Sequence, residues 1–195
     1  MIEVDWNWEL RLFCSADIVG SMAFKATTPE TRTEWASTFS EFFHFFPQRV
    51  AAAYANLPVG FVECSSLLEP WKFSGDEILF SCPVQNHREC VSHARAFKEA
   101  VGDFPNENWV RKGTPLTLKA TAWIAGFPVT NRKVQIPGSN AVDYIGPWID
   151  LGFRIAKFAT PRKFVVSASL ALLLLDGIDS CELKHGDASL FLYLD

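Results

Sequence analysis

Two acidic signatures stand far apart in this chain. The first, Phe13-Cys14-Ser15-Ala16-Asp17-Ile18-Val19-Gly20, carries an apolar, strand-like run into an aspartate with a glycine shortly after it. The second, Lys72-Phe73-Ser74-Gly75-Asp76-Glu77, sets an aspartate directly after a glycine. Glycine permits a tight turn or a close approach of backbone to a ligand. Two carboxylates brought side by side from such positions make an oxygen-donor site for hard divalent cations, the ions that phosphoryl chemistry on a nucleoside triphosphate requires. Taken singly, either aspartate is equally an ordinary turn or cap residue, because Asp is common beside Gly in loops.

A second group of metal-ligating types, Cys82, His87, Cys90 and His93, is sequentially close. Its spacing matches none of the common zinc finger or ribbon patterns, and the plainer account is a strand end followed by a helix with buried thiols.

The elements that must position these residues alternate between strand and helix. Leu10 to Ile18 reads as a strand, and Thr31 to Asn56 carries Trp35, Phe39, Phe42, Phe43, Phe46, Val50 and Ala53 at helical spacing, with Pro47 marking a kink or break. Gly60 to Leu67 and Glu77 to Cys82 are strand-like and predict a hairpin with Asp76 near its tip; Pro70 to Gly75 is the connection or the start of the second strand. Asn86 to Val101 is an amphipathic helix ended by Gly102, and Leu116 to Ile124 alternates like a strand. Asn131 to Asn140 is a polar loop or hairpin, and Ile149 to Phe158 is a buried helix stopped by Pro161. Phe164 to Ser167 gives a strand, Leu170 to Leu175 a short helix and Leu190 to Leu194 a last strand. No linker or repeat divides the chain, so one domain over residues 1–195 is expected.

Composition bounds the function. With 49% hydrophobic and 14% aromatic residues among 195, the chain has ample material for a packed core. Its net charge of −4 gives no basic footprint for nucleic acid and directs attention to a small-molecule partner. The longest apolar stretch, Val165 to Leu175, is too short to span a bilayer as a helix and is interrupted by Ser167 and Ser169. The opening Met1-Ile2-Glu3-Val4-Asp5-Trp6 lacks the basic start and apolar core of a signal peptide, and five cysteines without a Cys-x-x-Cys pair suit a reducing compartment. The expectation is a cytoplasmic protein with no membrane span.

Four segments in order resemble the catalytic domain of class III nucleotidyl cyclases. They are Asp17-Ile18-Val19-Gly20, Lys72-Phe73-Ser74-Gly75-Asp76, the block from Asp143 to Arg154 (Asp-Tyr-Ile-Gly-Pro-Trp-Ile-Asp-Leu-Gly-Phe-Arg) and Leu183-Lys184-His185-Gly186. The resemblance covers nearly the whole chain. Among such domains it is most similar to the bacterial pyrimidine cyclases of the Pycsar anti-phage systems, and there to uridylate cyclases. It implies an α+β fold with a ferredoxin-like core, an antiparallel sheet flanked by helices, and a homodimer with shared sites. It also implies conversion of UTP, or another nucleoside triphosphate, to a 3′,5′-cyclic nucleotide and pyrophosphate, with a separate effector protein reading the product.

The resemblance also assigns roles. Asp17 and Asp76, with the backbone carbonyl of Ile18, hold two Mg²⁺ or Mn²⁺ ions. Arg154 steadies charge on the transferring phosphate, and Lys184 contacts the triphosphate. Lys72 and Asp143 read the base, a donor and an acceptor that suit uracil and adenine alike. Trp148 either narrows the base pocket or is a buried core tryptophan. The chain departs from the pattern at Asp150, where the family has an asparagine that orients the ribose, and at Ser21-Met22, which replace Phe-Thr. Two rivals follow: a diguanylate-type cyclase, suggested by Ser74-Gly75-Asp76-Glu77-Ile78, and a cyclase-like domain that binds nucleotide without turnover, suggested by Asp150.

Overall fold

The computed structural model describes residues 7–27, 32–139, 141–161 and 163–180. Its centre is a five-stranded sheet in the order β2-β3-β1-β4-β7. The strands are β1 (Glu9–Val19), β2 (Glu69–Ser74), β3 (Glu77–Pro83), β4 (Thr117–Phe127) and β7 (Phe164–Val166). All neighbours pair antiparallel except β4 and β7, which run parallel. A separate hairpin joins β5 (Arg132–Gln135) to β6 (Val142–Ile145). The helices are α1 (Ser21–Thr27), α2 (Arg32–Ala53), α3 (His87–Asn108), α4 (Pro147–Ile155) and α5 (Ala168–Ser180).

Strand alternation divides the sheet into two faces of different chemistry. Leu12, Cys14, Ala16 and Ile18 of β1, with Ile78, Phe80 and Cys82 of β3 and Leu118, Ala120 and Ala122 of β4, point to one side. There they meet α2, α3 and α5 in a single apolar cluster that also contains Phe42, Phe46, Phe97 and Phe104. Phe46 meets Phe80, Phe97 and Phe104 edge-on at 5.5–6.0 Å between centroids, the geometry in which ring pairs add about 1 kcal/mol beyond area burial. The alternate residues face the other way. At one end Phe13, Leu79, Trp123, Ala125 and Phe127 form a smaller core under Tyr144 and Ile149, supplied by β6 and α4. At the other end lie Ser15, Asp17, Glu77, Lys119 and Thr121, a polar patch on the same face.

Several boundaries differ from the sequence reading. Gly60 to Leu67 is not a strand; its place in the hairpin is taken by β2, in the segment read as a connection or the start of the second strand. The segment is instead tied to α3: Val62 N–H donates to Ser92 Oγ at 3.1 Å, the Ser92 hydroxyl donates to the Val62 carbonyl at 2.9 Å, and Ser65 N–H donates to the buried Glu89 carboxylate at 3.2 Å. Side chains from a neighbouring helix thus satisfy its backbone in place of a strand partner. Pro47 does not end α2, and α3 runs through Gly102 and Pro105, because Phe46 and Val50 in the one and Val101 and Phe104 in the other remain on the buried face. Helix α4 begins at Pro147, before Ile149, since a proline suits the first helical position. Residues 131–139 of the segment read as a polar loop or hairpin hold the β5 strand and the turn after it. The last strand read at Leu190 to Leu194 lies outside the described residues.

Candidate active site

The acidic end of the sheet's polar face is assembled by the β1–β3 ladder. Asp17 lies opposite Glu77 in antiparallel register and opposite Lys119 on the other side. Ser74 and Glu77 face each other across a two-residue turn of Gly75 and Asp76, and Gly75 has φ +66°, the left-handed conformation such turns require. The turn is pinned to the end of β1 by a hydrogen bond from Ile18 N–H to the Asp76 carbonyl at 3.2 Å. The two aspartates read from sequence, and the Ile18 backbone between them, are therefore brought together.

Charge accumulates here. Burial pushes the Asp17 carboxyl above the ordinary aspartate range and the Asp76 charge pushes the same way, opposed by the Lys119 ammonium, 2.8 Å from Asp17 Oδ2. Glu77 is raised for the same first cause, burial, with the charges of Asp17 and Asp76 adding to it, against a hydrogen bond with Ser15 and the charge of Lys119. Three carboxylates share one lysine, so a further cation would relieve the site. Among the described residues no three His, Cys, Asp or Glu side chains converge as a closed metal cage. Two carboxylates and a carbonyl are the sparse oxygen set that Mg²⁺ takes when substrate phosphates and water complete its shell.

Lys72 and Asp143, 71 positions apart, also meet: Lys72 Nζ donates to Asp143 Oδ2 at 2.8 Å, and Tyr144 N–H donates to Asp143 Oδ1 at 2.9 Å. Partial burial raises the Asp143 carboxyl, but the Lys72 hydrogen bond, the Tyr144 N–H, the Lys72 charge and the neighbouring Trp71 indole together hold it below the usual range. The pair therefore presents an ionised acceptor beside a cationic donor.

Arg154 stands on α4, and the local sequence explains how that helix is placed. Gly152 lets it lie directly on the sheet, for a Cβ there would fall 2.1 Å from the Trp123 ring. Gly146 has φ +137°, and its Cβ would meet Asn131 Oδ1 at 2.5 Å. The buried Asn131 accepts from Trp148 N–H at 3.1 Å and donates to the Gly126 carbonyl at 2.8 Å, capping the helix from outside its own sequence. Asp150 and Arg154, one turn apart, are left on the open side, where with Pro147, Trp148 and Leu151 they line a shallow cleft of about 340 Å³. Arg154 has no ion pair with another described residue. Asp150 occupies the first helical turn, where a carboxylate complements the helix dipole. Trp148 is 40% exposed, which corrects its reading as a core residue. This cleft contains none of Asp17, Asp76, Lys72 or Asp143. Lys184 lies outside the described residues.

The Cys82, His87, Cys90 and His93 group does not converge. His87 Nδ1 faces Asp176 of α5 at 3.1 Å, whereas the buried His93 is hydrogen-bonded through Nδ1 with the Tyr54 hydroxyl at 2.6 Å and lies 3.5 Å from Cys82 Sγ. Sequence reasoning missed Glu77 and Lys119 as parts of the acidic end. The signal for Lys119 was present: it is the one charged side chain in the alternating run Leu116 to Ile124.

No family model matches the chain, and no curated protein matches it in sequence. Solved structures do match in shape. The adenylyl cyclase CyaB from P. aeruginosa superposes with TM-score 0.64 at 14% identity, covering 87% of this chain and 82% of that one. The guanylyl cyclase Cya2 gives 0.60 at 12%, with 86% and 79% covered. A non-canonical dimeric guanylyl cyclase domain of the RhoGC fusion protein from the aquatic fungus Blastocladiella emersonii gives 0.60 at 13%, with 87% and 86% covered. The chain has the α+β fold of class III adenylyl and guanylyl cyclase domains, as the sequence resemblance implied. No helix among the described residues is long and apolar enough to cross a membrane.

Proposed function

We propose that this protein is a nucleotidyl cyclase that converts UTP to 3′,5′-cyclic UMP and pyrophosphate. The observation that carries the proposal is the meeting of Asp17 and Asp76 at the end of β1, within a cyclase fold. Asp17, Asp76 and the Ile18 carbonyl would hold Mg²⁺ or Mn²⁺, two ions per site. Bound there, such ions lower the pKa of the ribose 3′-hydroxyl and neutralise charge on the departing pyrophosphate. In the reaction the 3′-oxygen forms a bond to the α-phosphorus, the bond from that phosphorus to the β-phosphate oxygen breaks, and the hydroxyl proton leaves to solvent.

The chain's own groups orient and stabilise. Lys72 donates to a carbonyl of the base and Asp143 accepts from its ring N–H. Arg154, always charged and free of a described ion-pair partner, meets the charge on the transferring phosphate. Lys184 is assigned to the triphosphate by resemblance alone. The acidic pair and the Arg154 cleft are separate surfaces of one chain, which favours a two-fold homodimer in which each site takes its metal carboxylates from one protomer and its base-reading and arginine groups from the other. The choice of UTP, a role in anti-phage defence and a separate effector for the product rest on the sequence resemblance to Pycsar uridylate cyclases.

Incubation of the purified protein with each of the four ribonucleoside triphosphates and Mn²⁺, with products resolved by chromatography and mass, tests this. Cyclic UMP is expected as the dominant product. A dominant cyclic AMP or cyclic GMP would overturn the pyrimidine assignment, and a dinucleotide would overturn the reaction.

A further inference from the structure

The base-reading lysine sits beside an irregularity in the sheet. Pro70 lies opposite Phe80 but Lys72 lies opposite Leu79, so Trp71 is the extra residue of a β-bulge. In a regular strand consecutive residues point to opposite faces, and a bulge is a device that re-aims one of them. Here Trp71 packs with Leu79, Phe13 and Trp123 on the polar-patch side of the sheet, and Lys72 reaches Asp143 on that same side. The proline at the bulge leaves no N–H to satisfy.

Trp71 borders both halves of the base-reading pair. Its indole favours the ionised Asp143 carboxylate, and the Lys72 ammonium lies over its ring, 5.6 Å from the centroid. The ring is itself wedged edge-on against Phe13 at 5.2 Å and Tyr144 at 5.1 Å. We propose that Trp71 determines base specificity, by fixing the depth at which Lys72 and Asp143 meet the base. The inference rests on the nucleotidyl cyclase reading of the site.

The polar pair by itself does not choose a base. Each of the four bases offers a donor and an acceptor side by side on its Watson–Crick edge, so an adjacent acceptor and donor accept all of them in one register or another. What differs is distance: the fused second ring of a purine carries that edge farther from the ribose. A flexible pair would follow the edge to either depth. This pair is held in place, because Asp143 is bonded by Lys72 and the Tyr144 N–H, and Lys72 lies over the Trp71 ring that Phe13 and Tyr144 wedge edge-on. A fork held at one depth discriminates by ring count, since a base of the wrong class leaves hydrogen-bonding groups of the site and of the base unpaired. Trp71 is thus a positioning residue that acts through Lys72 and Asp143.

The test compares kcat and KM for UTP, CTP, ATP and GTP in the wild-type protein, Trp71→Phe, Trp71→Leu and Trp71→Tyr, with circular dichroism and thermal melting as folding controls. Phenylalanine keeps a ring but removes the donor, so the ratio of kcat/KM between pyrimidine and purine triphosphates should fall about tenfold, the loss appearing in KM more than in kcat. Tyrosine, which keeps a donor, should retain more of the ratio. An unchanged ratio in folded Trp71→Phe overturns the inference, and if that variant does not fold, an unchanged ratio in folded Trp71→Leu, which also lacks the donor, does so. Absence of any cyclic nucleotide from the wild-type protein overturns the cyclase reading instead, whereas wild-type turnover with an unaltered ratio in the variants overturns this inference alone.

Discussion

Asp17 and Asp76 are poor contributors to the stability of the metal-free fold. Burial and mutual repulsion raise the Asp17 carboxyl, and Lys119 only partly offsets them. Removing either carboxylate therefore relieves charge while deleting a proposed metal ligand, so Asp17→Ala and Asp76→Ala should lose cyclase turnover with melting temperatures equal to or above the wild type. Near-normal turnover in either folded variant would refute the metal assignment. His93 gives the opposite lesson, since it is titratable, wholly buried and remote in sequence from every assigned role. Burial pushes it down to about 4 from an ordinary 6.5. The unfolded chain thus binds a proton near pH 6.5 that the native state refuses until about pH 4, and stability is lost as pH falls through that window. The loss is of order 3 kcal/mol. His93→Gln, which cannot titrate, should flatten this part of the curve in pH-dependent melts, and an unchanged slope would contradict the account. Both aspartates were legible in the sequence because Asp17 ended an apolar run with Gly20 shortly after it and Asp76 directly followed Gly75; Glu77 was not read as their partner because its meaning depends on cross-strand register with Asp17.

At the scale of elements, the positions of Lys72 and Arg154 are set by features that local pattern hides or only half shows. The β2–β3 hairpin was expected, but its first strand was placed at Gly60 to Leu67, where apolar residues simulate a strand. The true partner, Glu69–Ser74, contains a proline and a bulge, both of which weaken a strand signal. What distinguishes the two segments is Ser92 and Glu89 on α3 reaching back to bind the false strand, a tertiary fact with no local trace. Helix α4 was found from its apolar spacing, yet the reason it can carry Arg154 to the open side is Gly152 beneath Trp123. Gly152→Ala would drive a methyl into a buried indole that has no room to withdraw. Overpacking of this kind costs about 1–3 kcal/mol, so a fall in melting temperature of roughly 2–10 °C is expected, accompanied by reduced turnover as α4 shifts. A variant with wild-type melting and activity would mean that α4 does not depend on this contact.

Across the whole molecule, one sheet separates two tasks: three helices and an aromatic core occupy one face, while the other face divides between a small apolar core and the acidic end. The acidic pair at the end of β1 and the Arg154 cleft on α4 are built independently, and the account joins them through a second copy of the chain. Sequence showed each half as a motif but gave no geometry relating them. The claim that these halves form one cyclase site is tested most directly by mixing two inactive proteins. Asp76→Ala retains Arg154 but lacks a metal carboxylate; Arg154→Ala retains both aspartates. Under conditions of subunit exchange, about half of the dimers are mixed, and each mixed dimer carries one intact site of two. Synthesis of cyclic nucleotide should therefore return to about a quarter of the wild-type rate. No recovery, with exchange verified by differently tagged chains, would contradict a site shared between protomers and return Arg154 to a structural role on its own helix.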